Sequence, residues 1–317
     1  MRKNLFLALL TLFICVSQAN AQDDEDKYKR CVLLEEFTGE GCSNCPAAAT
    51  IIAEVMFSQD YKYCVIPITH HSGYYPDWLT TDADLEYEWF YNGNTSAPAL
   101  MYDRYPFFSN TKGGSPVGGV AGLTSVKEYI NKRLEVPSHV TFDIYGDYDG
   151  EKTLSVHVTG ERNEVFSETP ARITVCVLES RILAHKQANA GKNYKHSHVF
   201  RTSNSVWGDV IEWDGDNFTY DCKLDIDPSW ETKNMRIAAF VSAYDENDPC
   251  ACVVENARDV AFNDIPSGIE DAQADKDVVK TEYYTADGIA TKAEAKGMYI
   301  EKTIYSDGTE TTKKVIK

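Results

Sequence analysis

The 317 residues carry 49 acidic against 31 basic side chains, a formal net charge of −18 at pH 7, and 43% of them are hydrophobic. Such a surface repels phosphate backbones and anionic lipid, which excludes nucleic acid as a partner and leaves solubility in a crowded extracytoplasmic space as the meaning of the charge. The length suffices for two or three domains with their own cores.

Arg2 and Lys3, the apolar run from Leu5 to Val16 and the small residues Ala19-Asn20-Ala21 predict a secretory signal over residues 1–21, cleaved after Ala21. Lipidation at Cys15 is the competing processing, but Ile14 before it is a poor match to the small residue such processing takes. No later stretch is apolar for long enough to cross a bilayer. Eight cysteines follow the signal: Cys31, Cys42, Cys45, Cys64, Cys176, Cys222, Cys250 and Cys252. An even number after export invites disulfides, and their split into four before residue 65 and four after 175 suggests two units.

Leu33-Leu34-Glu35-Glu36-Phe37 reads as a buried strand, Gly39 and Gly41 allow a sharp turn, and Cys42-Ser43-Asn44-Cys45-Pro46 opens a helix over Ala47 to Ser58. Ile51, Ile52, Val55 and Met56 give that helix one apolar stripe. Tyr63 to Thr69 is a second strand, ending at His70-His71-Ser72-Gly73, so the stretch is a right-handed βαβ unit. Its dithiol and its two histidines then lie at the same C-terminal sheet edge, where sites of open α/β sheets gather. Asp82 to Asn92 reads as a short helix with Leu85, Trp89 and Phe90 on one face. Pro98 opens an apolar strand and is a candidate cis or edge position. Phe107 to Leu123 reads as loop, and Ser125 with Glu128 as a capping box before a helix that stops near Pro137.

From His139 the hydrophobic period becomes two. Val140, Phe142 and Ile144, an Asp149-Gly150 turn, and Leu154, Val156 and Val158 predict a hairpin, and further short strands follow at Ile173–Leu178, Phe218–Ile226, Arg236–Tyr244 and Ala251–Val254. Strands without helices predict an antiparallel sandwich. Leu183 to Trp213 between them reads as a long polar connection holding His185, His196 and His198. Asp264 to Lys280 reads as an acidic linker, and residues 281–317 as a small strand-and-turn module. The expected organisation is therefore a signal at 1–21, an α/β domain at 28–136, a β-sandwich at 137–263, a linker at 264–280 and a terminal β module.

Glu36-Phe37-Thr38-Gly39 leading to Cys42-Ser43-Asn44-Cys45, with Ala97-Pro98 before a later strand, resembles a thioredoxin fold. The resemblance implies a cis-proline loop at Pro98 beside the dithiol. Gly41 stands where thioredoxin itself has tryptophan, so neither specificity nor potential carries over. The same motif together with Tyr194-Lys195-His196-Ser197-His198-Val199-Phe200-Arg201 resembles the outer-membrane-protein-28-related family of Gram-negative anaerobes, over about residues 30 to 262. This implies an envelope protein with a thioredoxin-like domain followed by an immunoglobulin-like β domain. Gly297-Met298-Tyr299-Ile300 and the final Lys-Lys-Val-Ile-Lys resemble a carboxy-terminal sorting domain, which implies outer-membrane or cell-surface association.

A helix N-terminus stabilises thiolate, and Cys-x-x-Cys thiols fall from about 8.5 to between about 3.5 and 7.5. Cys42 is then the exposed attacking nucleophile and Cys45 the resolving thiol, acting on protein thiols or disulfides of the envelope without a cofactor. A permanent structural clip is the alternative, and with it a non-catalytic surface or binding protein. His70 and His71 are candidate auxiliaries, set against one histidine in the core and one in solvent. Cys31 and Cys64 begin neighbouring strands and are expected to form a structural bridge contributing about 3 kcal/mol. Cys176, Cys222, Cys250 and Cys252 allow three pairings. A zinc site with His196 and His198 is conceivable, but irregular spacing and oxidising export argue against it, and no metal is expected.

Overall fold

The computed structural model describes residues 27–109, 111–166, 170–266, 278–285, 290–291, 298–305 and 310–316. The expected signal lies outside them. The chain divides into two compact units, one ending at Pro266 and one spanning Ser267–Lys317. Among the described residues no helix is long and apolar enough to cross a membrane.

The first unit is mixed α/β and mostly sheet. β1 (Val32–Phe37), α1 (Cys45–Phe57) and β2 (Val65–His70) form the expected crossover, with parallel strands in which Val32 faces Val65 and Phe37 faces His70. α2 (Asp82–Tyr87) starts at a reciprocal cap between Thr81 and Asp84 and gives way to a 3-10 turn at Glu88–Tyr91. That change of pitch breaks the expected shared face: Phe90 is buried while Leu85 is 44% exposed. β3 (Ala99–Tyr102) runs antiparallel to β1 and carries β4 (Gly118–Gly119) on its other side. α3 (Leu123–Leu134) begins earlier than the sequence pattern suggests, with Gly122 at its N-cap. Ser125 therefore falls inside the first turn, and Glu128 pairs with Lys132 at 2.7 Å instead of closing a capping box.

β5 (Val140–Tyr148) and β6 (Thr153–Arg162) make the expected hairpin, whose turn is held by the Asp149 carboxylate accepting from the N–H groups of Glu151, Lys152 and Thr153. β12 (Asn217–Asp225) completes a three-stranded sheet with them. β7 (Arg172–Glu179), β13 (Met235–Ser242) and β14 (Val254–Ala261) are antiparallel neighbours.

The region expected as a polar connection holds structure instead. β8 (Ile182–Leu183) pairs with β9 (Lys195–His196), β11 (Asp209–Val210) pairs with β7, and β10 (Val199–Ser203) enters the main sheet. β10 lies antiparallel to β7 and parallel to β2, with Val199 facing Thr69. Val199 and Phe200 drive this insertion, since both are buried and the Phe200 ring packs on His70 and Tyr87. One sheet of order β14-β13-β7-β10-β2-β1-β3-β4 thus runs through both regions expected as separate domains.

α1 and α3 cover one face of β1 to β3, joining Val32, Leu34 and Leu100 to Ile52, Val55, Val126 and Ile130. On the opposite face an apolar layer is continuous from Leu33, Phe37 and Phe90 to Leu178, Phe200 and Phe240. The β5–β6–β12 sheet shares a third core with β7 and β13, in which Phe142, Val156 and Phe218 join Val175, Val177 and Ile237.

The second unit is an antiparallel sheet of β15 (Val278–Thr285), β16 (Ala290–Thr291), β17 (Met298–Tyr305) and β18 (Glu310–Ile316), in the order β16-β15-β17-β18. Its first strand begins inside the expected linker, of which positions 267–277 lie outside the described residues.

Candidate functional site

The main-chain path after β1 is set by a short ladder of hydrogen bonds. Thr38 N–H donates to the His70 carbonyl at 2.9 Å, Glu40 N–H to the Asp77 carboxylate at 2.8 Å, and Cys42 N–H to the Gly39 carbonyl at 3.0 Å. At Gly39 and Gly41 a Cβ would make ordinary contact, 3.4 Å from the Tyr75 carbonyl oxygen and 3.5 Å from the Tyr74 ring, so the turn does not depend on either glycine for space. α1 then starts with Cys45 and Pro46, where the missing proline N–H is no loss. Cys42 and Cys45 are joined in a disulfide with Cα atoms 5.5 Å apart. Pro98 follows a cis peptide bond, and because Phe37 faces Ala99 in register it lies one step beyond β1, at the same sheet edge.

Cys42 is not the exposed nucleophile that its position suggests. It is 3% exposed and Cys45 1%. The segment between β8 and β9 crosses the main chain of the turn as a cap. The Gln187 side-chain amide donates to the Cys42 carbonyl at 2.9 Å, that of Asn189 to the Ser43 carbonyl at 3.1 Å, and Ala188 N–H to the Glu40 carbonyl at 2.7 Å. The Glu40 carboxylate accepts from the N–H groups of His185 at 2.7 Å and Lys186 at 3.1 Å and from the Trp78 indole at 3.1 Å. Trp78 stacks on the His185 ring with centroids 4.1 Å apart. Burial opposes ionisation of Glu40, but these donors outweigh it and hold its carboxyl below the usual range.

Both histidines at the end of β2 are buried, so neither stands in solvent. His70 faces away from α1, bonded through Nδ1 to Asp84 at 2.9 Å and lying 3.4 Å from Glu35. Burial disfavours its cation, yet the two carboxylates overcome this and raise its pKa. His71 bonds through Nδ1 to Asp77 at 2.8 Å and meets His196 edge-on, the ring centroids 4.6 Å apart. His71 thus borders the cap residues, while His70 belongs to the ionic core.

Two carboxyls of β1 join the site: Glu36 opens the motif that carries the resemblance, which assigns it no role, and Glu35 precedes it. Glu35 is gripped by Arg104 at 2.8 and 2.9 Å; burial works against its charge, but Arg104 and His70 hold it down at about 2. Glu36 points to the α1 side, takes only a 3.4 Å bond from the Thr69 hydroxyl, and is pushed by burial up to about 8. It lines a cavity of about 490 Å³ with Pro46, Ile52, Met56, Thr69 and Tyr194. Two acidic residues inside a fully buried strand were the available signal. No local pattern marks Glu40 or Gln187.

The remaining cysteines depart from expectation. Cys31 and Cys64 are not bridged: the Cys31 thiol donates to the Tyr63 carbonyl at 3.5 Å and that of Cys64 to the Asp60 carbonyl at 3.3 Å. Cys176, Cys222, Cys250 and Cys252 are also free. Cys176 is enclosed in β7, Cys222 lies on β12 in the other sheet, and the Cys252 thiol points to the carbonyls of Asp245 and Asp248, so the folded positions leave them unpaired. Burial lowers the pKa of both His196 and His198 to about 4. Among the described residues no group of three or more His, Cys, Asp and Glu side chains is placed to hold a metal ion.

Fold and site together define a mixed α/β protein with a covered Cys-x-x-Cys disulfide at a strand-to-helix turn. Residues 120–264 match the family described as outer membrane protein Omp28, which bears out the resemblance carried by the sequence motifs and agrees with an extracytoplasmic location. The matched segment begins after the disulfide. HBP35 of Porphyromonas gingivalis is similar in structure, with a TM-score of 0.64 and 21% identity over 92% of this chain and 99% of that one. A domain of the outer membrane lipoprotein Omp28 from the same organism aligns with a TM-score of 0.27 and 20% identity, covering 41% of this chain and 92% of that one. No curated protein sequence matches the chain.

Proposed function

We propose that this envelope protein exchanges its Cys42–Cys45 disulfide with thiols of other envelope or surface proteins, on a thioredoxin-like framework joined to an immunoglobulin-like β-sandwich. The observation that carries the reading is the disulfide at the first turn of α1, directly after a strand of a parallel pair and at the edge where Pro98 enters β3. A thiolate of the partner attacks Cys42 Sγ, the Cys42–Cys45 bond breaks, and Cys45 leaves with the electron pair. A second partner thiolate then attacks the partner sulfur of the mixed disulfide and releases Cys42, so two electrons pass from the partner dithiol to this chain. Glu36, which holds its proton at neutral pH in the cavity that Pro46 also lines, is a carboxyl tuned to supply or take a proton during such exchange.

The exchange also runs in reverse: in Cys45→Ser the free Cys42 thiolate attacks a partner disulfide, one partner sulfur leaves as thiolate, and with no Cys45 to displace the other the mixed disulfide is expected to accumulate, which Cys42→Ser abolishes. Absence of any captured protein would sink the redox reading. The burial of Cys42 favours a second reading, a surface or binding protein in which the disulfide is a structural clip. In that case Cys42→Ser leaves partner binding intact.

A further inference from the structure

The contacts of the cap on the disulfide turn have the character of a bound peptide. The face it covers is a row of acceptors: the carbonyls of Glu40, Cys42 and Ser43, with the Glu40 carboxylate beside them. The cap answers with donors, from the backbone at His185, Lys186 and Ala188 and from the side chains of Gln187 and Asn189. Main-chain N–H groups and side-chain amides presented together are donors that a polypeptide carries, and a small anion, itself an acceptor, does not. The hairpin that tethers the cap is slight, only two residues pairing in each of β8 and β9. Beside the turn stand Tyr75, 74% exposed, and Trp78, 45% exposed, an aromatic rim of the kind that peptide-binding surfaces use.

Resting on the redox reading above, we propose that residues 184–189 are a tethered competitor for the protein partner. They occupy the Cys42 face as an intramolecular peptide ligand, and the partner that face takes is a polypeptide segment whose main-chain N–H groups replace those of the cap at Glu40 and whose side-chain amides replace Gln187 and Asn189 at the Cys42 and Ser43 carbonyls. The disulfide is then accessible only in the fraction of molecules whose cap has lifted, and local opening of this kind draws on the least stable contacts of a fold.

The test is the rate at which reduced glutathione and an unstructured cysteine-containing peptide reduce the Cys42–Cys45 disulfide of the whole protein. A Gln187→Ala/Asn189→Ala variant, which removes the three side-chain bonds from the cap to Gly39, Cys42 and Ser43 and no atom of the disulfide turn, is expected to react about tenfold faster or more with both reagents. Equal rates would overturn the proposal while leaving the redox reading intact. Accelerated reduction without any protein captured by Cys45→Ser would instead sink the redox reading and leave the cap as a steric cover. Amide exchange in the unmodified protein guards against a variant that fails to fold: the N–H groups of Lys186 and Ala188 are expected to exchange at least about a hundredfold faster than those of Leu33 and Ile68 in the central strands. Exchange of cap and core at one rate would mean that the segment opens only on global unfolding, and the proposal would fall.

Discussion

Glu35 and Glu36, adjacent on β1, point to opposite faces of the sheet and take opposite charge states: Arg104 holds the first down at about 2, and burial without a cation raises the second to about 8. One strand therefore carries a permanently ionised carboxylate on its α2 side and a protonated carboxyl on its α1 side.

The protonated member makes stability depend on pH in a defined direction. Its folded pKa of about 8 lies above the value of 4.5 for a free carboxyl, so between the two the folded protein binds the extra proton. The contribution is fully present below pH 4.5 and is lost as pH rises through 8. Relative to Glu36→Gln, which is neutral throughout, the wild-type protein is expected to lose about 2–4 kcal/mol between about pH 5 and about pH 9, read from urea unfolding at each pH. A wild-type-to-variant difference that stays constant over that range would show that Glu36 is ionised in the fold.

The ionised member depends on its partner. Arg104→Met removes both bonds to Glu35 and leaves a buried carboxylate with His70 at 3.4 Å as its neighbour. The expected cost is about 3–5 kcal/mol in chemical denaturation, since the buried charge loses its guanidinium and keeps only His70 as a partner. Adding Glu35→Gln to that variant is expected to restore more than half of the loss. A double variant no more stable than the single one would place the loss in the cation–π packing of Arg104 on Phe90 and Phe240.

The disulfide turn and the crossover around it are legible in the sequence because each rests on neighbours along the chain: Leu33 to Phe37 for the strand, Pro46 for the helix start, Val65 to Ile68 for the return. What is not legible depends on segments far apart. Val199 and Phe200 are two apolar residues in a polar run, and only the place left between β2 and β7 makes them a sheet strand. Gln187 reaches Cys42 across 145 positions, so no spacing rule could place it over the dithiol. Cys31 and Cys64 do stand at the starts of neighbouring strands, yet adjacency of strands does not aim two thiols at one another.

Those thiols give a direct chemical check. Denaturing the protein without reductant and alkylating it is expected to label Cys31, Cys64, Cys176, Cys222, Cys250 and Cys252 and to leave Cys42 and Cys45 unlabelled. Under native conditions the same reagent is expected to act slowly on Cys31 and Cys64, because burial raises the pKa of both. Recovery of a Cys31–Cys64 disulfide peptide by mass mapping would mean that export oxidises a pair that is unbridged in this fold.

Glu40 makes the cap sensitive to acid. Its carboxyl lies below the usual range because Trp78, His185 and Lys186 donate to the ionised form, so the stability it gives the cap is present above about pH 4.5 and is lost as pH falls through its own lower pKa. The charged neighbours of this latch are Asp77, which accepts from Glu40 N–H and whose pKa is likewise depressed, and His196, whose ring nitrogen lies 3.5 Å from the Glu40 carboxylate. Glu40→Gln keeps the shape and one acceptor oxygen but removes the charge. The rate of disulfide reduction by a water-soluble phosphine, taken relative to a small reference disulfide in the same buffer, is expected to rise in the wild-type protein as pH falls from about 5 to about 3. In Glu40→Gln it is expected to be higher already at about pH 7, by about three- to tenfold, since a hydrogen bond to a charged group is worth more than one to a neutral group. That higher rate should change less on acidification, the residual slope belonging to Asp77 and to His196, which takes up its proton through about pH 4. A wild-type relative rate that stays flat from about pH 7 to about pH 3 would show that the cap is held by Gln187, Ala188 and Asn189 alone, with no electrostatic latch at Glu40.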